Sequence, residues 1–545
     1  MQGKVLFFVL FILVIAAFFR LWKLNEIPPG VYPDSAIYGN DGLTTLKNQD
    51  FRIFYPENNG REGLYMWLLA LSFSIFGVSI WSLRIVGALI GVLTVFGLYL
   101  LTKELFSFSN PTVQQSNPEP EPSVRYGASN PTTIALLSSF FLAISFVDTN
   151  FSRIGFRAIL LPFILVFSFY FLVRGFRRKT ILDFIVAGIF FGLGFYTYIS
   201  FRFAVLILPF IFIPFWFIYK KKNLQKKFIL HTSYFILLTF LVALPIGIYF
   251  LQNPQDFVGR ATPISVFAAE NPIKEFFKSL VLHLGMFNFY GDSNWRHNFA
   301  DSPILPWLLG ILFLIGLVFS FREIFKKSDY QNKNYQLLST FYFLLSAFFI
   351  MLLPGILTYE GIPHFLRVIG VIPVVYIFVA LGGIKVYQFF EKNTKNKKLL
   401  LVSCSLFLFA ISLSEFNKYF IAWGKNKEVE GAFTKRFVEE GEFLNSLPEN
   451  IQKYVIVNEG GVPVPWPDGI PMPAQTIMFI EATSDKKQET SYLLPEDLDL
   501  IKIDKEKTIV VSMAFDRNLL NEILKRFPEG KIEEREGFGI FKINF

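Results

Sequence analysis

The sequence predicts an α-helical polytopic membrane protein that carries a small C-terminal α/β domain. Of its 545 residues, 53% are hydrophobic and only 17% are charged, where a soluble domain carries about 25% charged residues. Eleven apolar runs approach the ~20 residues needed to cross ~30 Å of hydrocarbon. After residue 414 the composition turns charged, and apolar residues begin to alternate with period two.

The runs lie near 5–22, 82–102, 132–150, 156–173, 181–199, 203–219, 229–251, 304–321, 335–357, 368–390 and 399–414. The first continues into Arg20-Leu21-Trp22-Lys23 without a small-residue cleavage site, so it is expected to stay as a span. Lys and Arg crowd four connections: Arg174 to Lys179, Lys220 to Lys227, Arg322 to Lys333 and Lys392 to Lys398. Such loops face the cytoplasm. They account for the net charge of +9 as membrane-surface anchors, without nucleic acid. The single cysteine, Cys404, excludes a disulfide framework and a CxxC site.

Parity then constrains Leu64 to Gly77. If that stretch crossed and the N-terminus were cytoplasmic, every basic loop would face outward, so it is expected to lie at the interface or to re-enter on the outer side. The layout that follows has residues 1–414 as the membrane domain. Within it, 23–81 and 252–303 are outer loops and 105–131, rich in Asn, Pro, Gln and Ser, is a disordered cytoplasmic linker. Residues 415–545 form the soluble outer domain. Its expected elements are a helix over Glu430 to Leu447, strands at Lys453 to Asn458 and Thr508 to Met513, a helix over Asn518 to Phe527, and closing strands at Ile532 to Arg535 and Phe538 to Ile543. No internal repeat is visible.

Six polar stretches fall on the outer side of this layout. In Pro28-Pro29-Gly30-Val31-Tyr32-Pro33-Asp34 a rigid turn precedes a helix whose first turn holds Asp34. Asp34 is either a helix cap or a group held for chemistry, with Tyr38 one turn on. Arg61 and Glu62 read as an ion pair anchoring the interfacial helix, or as substrate contacts. Arg153 and Arg157, four apart, would share a helix face and suit an anion; the plainer reading is a pair of snorkelling anchors. The stretch of Tyr196, Tyr198 and Arg202 reads as an aromatic interface belt, with substrate contacts by Tyr196 and Tyr198 as the alternative. His364 and Arg367 suit a phosphate, which Arg grips with a planar fork. Asp292 and His297 read as a polar turn, with substrate or metal binding as the alternative. No metal ligand set is assigned.

These motifs resemble, in order, those of the GT-C membrane glycosyltransferases, and among them the bacterial relatives of protein O-mannosyltransferase and of the aminoarabinose–lipid A transferase (glycosyltransferase family 39-like). The residues that carry the resemblance are Tyr32-Pro33-Asp34 after the Pro-Pro-Gly turn, Gly60-Arg61-Glu62-Gly63-Leu64, Ser82-Leu83-Arg84-Ile85, Ser152-Arg153-Ile154-Gly155-Phe156-Arg157, Tyr196-Thr197-Tyr198 and Pro363-His364-Phe365-Leu366-Arg367. Residues 5–420 are covered. The resemblance implies a polyprenyl-phosphate sugar donor, a protein, lipid or glycan acceptor, and inverting transfer at the outer face of the plasma (inner) membrane. It implies Asp34 as the catalytic residue and Arg153, Arg157, Arg202, His364 and Arg367 around the donor phosphate. Many relatives carry Asp-Glu where this chain has Asp34-Ser35, which leaves one carboxylate; no cofactor is required by that reading, and a divalent metal has no support in it. Asp148-Thr149-Asn150 is similar to the acidic metal motif of oligosaccharyltransferases but precedes Ser152-Arg153 instead of following it. A flippase or transporter of lipid-linked saccharides is the alternative, and a non-enzymatic assembly or sensor protein a third. A transporter needs ionisable groups inside several spans, whereas here they gather at span ends.

Overall fold

The computed structural model describes residues 2–107, 130–259, 261–326, 335–460, 470–486, 489–535 and 537–545. Nearly all of the expected linker at 105–131, and the second half of the basic connection from Arg322 to Lys333, lie outside the described residues. Two compact units emerge. One comprises Met1–Trp22, Gly87–Ser152 and Arg157–Ile421; the other comprises Lys23–Val86, Arg153–Phe156 and Ala422–Phe545.

The first unit is helical. Among the described residues, nine helices of the chain are long and apolar enough to cross a membrane: Gly3–Leu21, Ile80–Phe106, Arg157–Arg178, Ile199–Lys221, Gln225–Gln252, Trp307–Phe325, Leu338–Ile356, Phe365–Asn393 and Lys397–Trp423. A tenth candidate is the pair Pro131–Ile144 and Phe146–Arg153, bent by 58°. All eleven expected runs fall on helices. The count of full-length candidates is nine or ten because the run expected at 181–199 forms a helix of only 14 residues, Ile181–Gly194.

The bent pair shows how buried backbone is satisfied where lipid offers no hydrogen bonds. Ser145 is extended, with ψ 128°, and interrupts the helix. Arg20 donates to the carbonyls of Ala143 at 2.9 Å and Leu142 at 3.2 Å. It also pairs with Asp148. On the other side of the break, Glu415 Oε2 accepts from the Phe146 N–H at 2.7 Å. Arg20, Asp148 and Glu415 are all buried.

In the second unit, helix Pro33–Asn48 packs on helix Leu64–Phe76. Between them lies a short antiparallel pair, β1 (Phe54–Tyr55) and β2 (Arg61–Glu62). The C-terminal part of the unit holds a mixed sheet of β3 (Ile451–Ile456), β4 (Thr490–Leu493), β5 (Lys507–Ser512), β6 (Lys531–Arg535) and β7 (Phe538–Ile543), in the order β4-β3-β5-β7-β6. β3 runs parallel to β4 and β5, and β7 antiparallel to β5 and β6. Side chains alternate between faces as the pleat requires. Val455, Ile509, Val511 and Ile540 join one core, with Phe437, Leu444 and Ile477 from helices. Tyr454, Ile456, Val510 and Phe541 join the other, with Leu520 and Ile523. The helix expected over Glu430 to Leu447 is two helices, Lys427–Ala432 and Lys435–Ser446, parted at Thr434 with φ +48°.

Helix Ala474–Glu481, absent from the sequence reading, packs against helix Pro33–Asn48. Gly39 permits this approach, since a Cβ there would come within 2.6 Å of the Phe479 ring. Thr434 and Thr476 both donate through Oγ1 to the Val31 carbonyl, each at 2.9 Å. Asn40 Nδ2 donates to Gln475 Oε1 at 2.8 Å. The C-terminal part of this unit therefore braces the turn that precedes Asp34.

Candidate functional site

Asp34 occupies the first turn of helix Pro33–Asn48. The preceding Tyr32 is the N-cap and Pro33 starts the helix, so Asp34 is not the capping residue. Pro fits there because its missing N–H would have no helical partner. The partly exposed Asp34 carboxylate accepts from Asn58 Nδ2 at 2.8 Å. Asn58 and Asn59 take left-handed backbone, with φ +51° and +61°, and Gly60 follows at +87°. These consecutive positive φ values aim the loop back at the helix. Next to Asp34, Ser35 Oγ donates to the Ile154 carbonyl at 2.6 Å.

The rest of the loop grips the same helix further on. Arg61 is buried, pairs with Asp41 and lies 3.4 Å from a Glu57 oxygen. Burial pushes Asp41 up to about 6, even with the Arg61 guanidinium beside it. The anchoring ion pair expected here exists, with Asp41 as a carboxylate partner of Arg61. Glu62 is buried in β2, opposite Phe54. Tyr38 is buried edge-on against Tyr65, with ring centroids 6.1 Å apart.

Arg153 and Arg157 do not share a helical face. Helix Phe146–Arg153 ends at Arg153, and Gly155 turns the chain with φ +75°. Arg153 is fully buried; Nη2 donates to the carbonyls of Lys23 at 2.9 Å and Ile27 at 2.8 Å. These bonds hold the turn before Pro28. Tyr196 also serves the fold, through its hydroxyl bond to the Val242 carbonyl at 2.8 Å.

Within the helical unit, four of the polar stretches converge. The Arg157 guanidinium lies over the Tyr198 ring, 5.5 Å from its centroid. Ser200 Oγ donates to the Arg367 carbonyl at 2.7 Å. Arg367 Nη1 reaches Thr358 Oγ1 at 2.8 Å and the Glu360 carbonyl at 2.7 Å. Arg202 donates to the Phe257 carbonyl and stacks on that ring at 4.2 Å, which ties it to helix Pro254–Val258. Asn150 Nδ2 donates to the Arg296 carbonyl at 2.6 Å.

Asp292, His297 and His364 meet in the same unit. Asp292 Oδ2 is 3.0 Å from His297 Nδ1 and accepts the Phe365 N–H at 2.7 Å; Oδ1 accepts the Asn294 N–H at 2.8 Å. Burial by itself would raise Asp292, but His297 and these N–H donors hold it below the ordinary carboxylate value. His283, which the sequence did not single out, supports the neighbouring backbone. Its Nδ1 is 2.8 Å from the Ser279 carbonyl and its Nε2 is 3.2 Å from the His364 N–H. Those two contacts fix the neutral tautomer, with the proton on Nδ1. Burial lowers His283 to about 4.

The model of the dolichyl-phosphate-mannose-protein mannosyltransferase family matches residues 64–114 and 128–249. No curated protein matches the chain in sequence. Among solved structures, ArnT from Cupriavidus metallidurans bound to undecaprenyl phosphate is similar with a TM-score of 0.56 at 11% identity, over 99% of this chain and 98% of that one. The apo form of that ArnT aligns with a TM-score of 0.47 at 11% identity, over 99% and 98% of the two chains. An oligosaccharyltransferase from Archaeoglobus fulgidus, in complex with Zn and sulfate, aligns with a TM-score of 0.47 at 14% identity, over 98% of this chain and 72% of that one. The chain is thus a multi-pass membrane protein with the GT-C-like fold of the membrane glycosyltransferases, similar over residues 64–114 and 128–249 to the dolichyl-phosphate-mannose-protein mannosyltransferase family.

Proposed function

We propose that this protein transfers a sugar from a polyprenyl-phosphate-linked donor to a protein, lipid or glycan acceptor at the outer face of the plasma membrane, with Asp34 as the general base. The observation that carries the reading is the Asp34 carboxylate, partly exposed in the first turn of its helix and oriented by Asn58. The family match and the similarity to a fold seen with undecaprenyl phosphate support the donor class.

In this mechanism Asp34 accepts a proton from the acceptor hydroxyl or amine as that atom attacks the anomeric carbon. The bond from that carbon to the phosphate oxygen breaks in the same step, and its electron pair leaves with the polyprenyl phosphate. A single displacement inverts the anomeric centre. Base catalysis of this kind contributes about 10²–10⁴-fold. The departing phosphate gathers negative charge, for which preplaced cations are the usual stabiliser. Arg157 and Arg367 are the cations proposed for it, with Arg202 and His364 in support. The leaving phosphate needs no proton near neutral pH, so one carboxylate suffices and Ser35 is no obstacle.

Mass spectrometry of cell-envelope glycans and glycoproteins, with and without the gene, tests this function. The expected result is the loss of one sugar from one class of acceptor, with the polyprenyl-linked donor accumulating. An unchanged envelope together with unchanged donor pools would contradict it.

A further inference from the structure

The geometry points to a divalent-metal site in the helical unit, with His297 and His364 as ligands and Asp292 as the carboxylate behind His297. One ligand atom from each residue lies within 4.8 Å of the other two. The two imidazole rings are 4.8 Å apart between centroids. The sequence offered Asp292 and His297 as a polar turn with metal or substrate binding as the alternative, and set His364 apart from them. The fold joins them across more than sixty residues.

The hydrogen bonds decide which atoms coordinate. Asp292 Oδ2 lies 3.0 Å from His297 Nδ1. An ionised carboxylate only accepts, so Nδ1 carries the proton and Nε2 keeps the lone pair that binds a metal. A carboxylate behind a coordinating imidazole fixes its tautomer and raises its basicity. His364 is brought up by separate fixtures. Its N–H meets His283 Nε2 at 3.2 Å, and the next N–H, of Phe365, meets the same Asp292 oxygen at 2.7 Å. The Phe151 ring stacks on both His297 and Phe365, at 5.8 Å and 6.1 Å.

The backbone around both imidazoles is therefore held by contacts that need no ligand. Asp292 and His297 are buried and His364 is half-buried, so an ion enters from the His364 side. Two protein nitrogens leave coordination positions for water or for the oxygens of an anion. Imidazole donors suit zinc and its first-row neighbours better than magnesium or calcium. A polar turn explains why Asp292 Oδ1 caps the Asn294 N–H. It does not explain why the other oxygen orients an imidazole toward a second one. The inference does not depend on the glycosyltransferase reading.

Cobalt(II) is the probe, because nitrogen coordination in a low-symmetry site gives it visible d–d absorption. Tag-free, full-length protein in detergent is stripped with chelator and titrated with Co²⁺. The expected result is one equivalent bound, with a visible band and a raised melting temperature. His297→Gln and His364→Gln each abolish the band. Asp292→Asn keeps the site but weakens it about 10–100-fold. The chain has only four histidines, so His231→Gln is the control and leaves binding unchanged. Melting curves of the metal-free variants report whether each is folded. Failure of the wild-type protein to bind one equivalent overturns the proposal without any variant. So does binding that survives in a folded His297→Gln, His364→Gln double variant, or that disappears with His231→Gln.

Discussion

Asn58 donates from Nδ2 to one oxygen of Asp34 at 2.8 Å, across 24 residues of sequence. The contact orients the carboxylate and leaves it partly exposed. Asn58→Gly preserves the left-handed backbone, φ +51°, and removes the donor. A hydrogen bond to a charged group is worth ~1.5–3 kcal/mol, so kcat is expected to fall by about tenfold or more with the donor KM unchanged. Asn58→Asp keeps the size and sets a second carboxylate against Asp34, which moves the acid limb of the pH–rate profile upward. A Tm decrease with an unmoved pH profile would show that Asn58 only supports the loop.

The arginines of the candidate site separate into two groups that mutation distinguishes. Arg157→Ala and Arg367→Ala are expected to weaken donor binding by about one to two decades, the worth of a charge-assisted contact. Melting temperatures should change little. Arg153→Ala should do the reverse. It strips the Lys23 and Ile27 carbonyls of their donor, and each unsatisfied buried group costs ~1–3 kcal/mol. Binding isotherms and melting curves on the three variants check this. Equal loss of stability in all three would remove the distinction.

Arg20 and Glu415 hold the two sides of the helix break at Ser145. Arg20→Met leaves the Leu142 and Ala143 carbonyls and the Asp148 carboxylate without their shared partner. Breaking a buried ion pair from one side costs ~3–5 kcal/mol. Thermal unfolding in detergent is expected to show that loss, and Arg20→Met with Asp148→Leu to recover part of it. Unchanged melting of Arg20→Met would mean that the break is satisfied otherwise.

His283 makes acid a local destabiliser. Its folded pKa is about 4, below the ordinary 6.5. The unfolded state therefore binds more protons between these values, so stability rises with pH across the window. The stabilisation is complete above 6.5 and is lost as pH falls through 4. Its size is about 3 kcal/mol. Protonated His283 cannot accept the His364 N–H, so the protection of the His364 amide, measured against its intrinsic exchange rate at each pH, should fall from pH 6.5 toward 4. His283→Gln should flatten that pH dependence, and a variant with the wild-type slope would refute the assignment.

Much of this was legible in the sequence, for physical reasons. Apolar length alone locates the helices, and Pro28-Pro29-Gly30 announces the turn before Asp34. Four sheet strands were expected from their apolar pattern, whereas β4, with four residues, is too short to declare itself. What escaped were partnerships at long range. Nothing local marks Asn58 as a ligand of Asp34, or Arg20 as the cap for carbonyls beyond residue 140. The break at Ser145 contains neither Gly nor Pro, so the apolar run reads as continuous. Arg153 and Arg157 looked like neighbours on a helix because four-residue spacing presumes that the helix continues, and Gly155 ends that continuity. Helix Ala474–Glu481 has eight residues, too few for periodicity to declare.

The turnover of Asp34→Asn in purified, full-length protein tests the central claim most directly. The substitution keeps the size of the side chain and an oxygen that can still accept from Asn58, and removes the charge that takes the proton. Single-turnover transfer from a polyprenyl-phosphate sugar, with donor affinity measured in parallel, is the readout. The account predicts a fall of at least about 10²-fold in rate with donor affinity little changed, and only partial recovery in Asp34→Glu, whose extra methylene misplaces the oxygen. Near-normal turnover in Asp34→Asn would contradict it, and would move the search for the base to Asp41, Glu62 or Asp292.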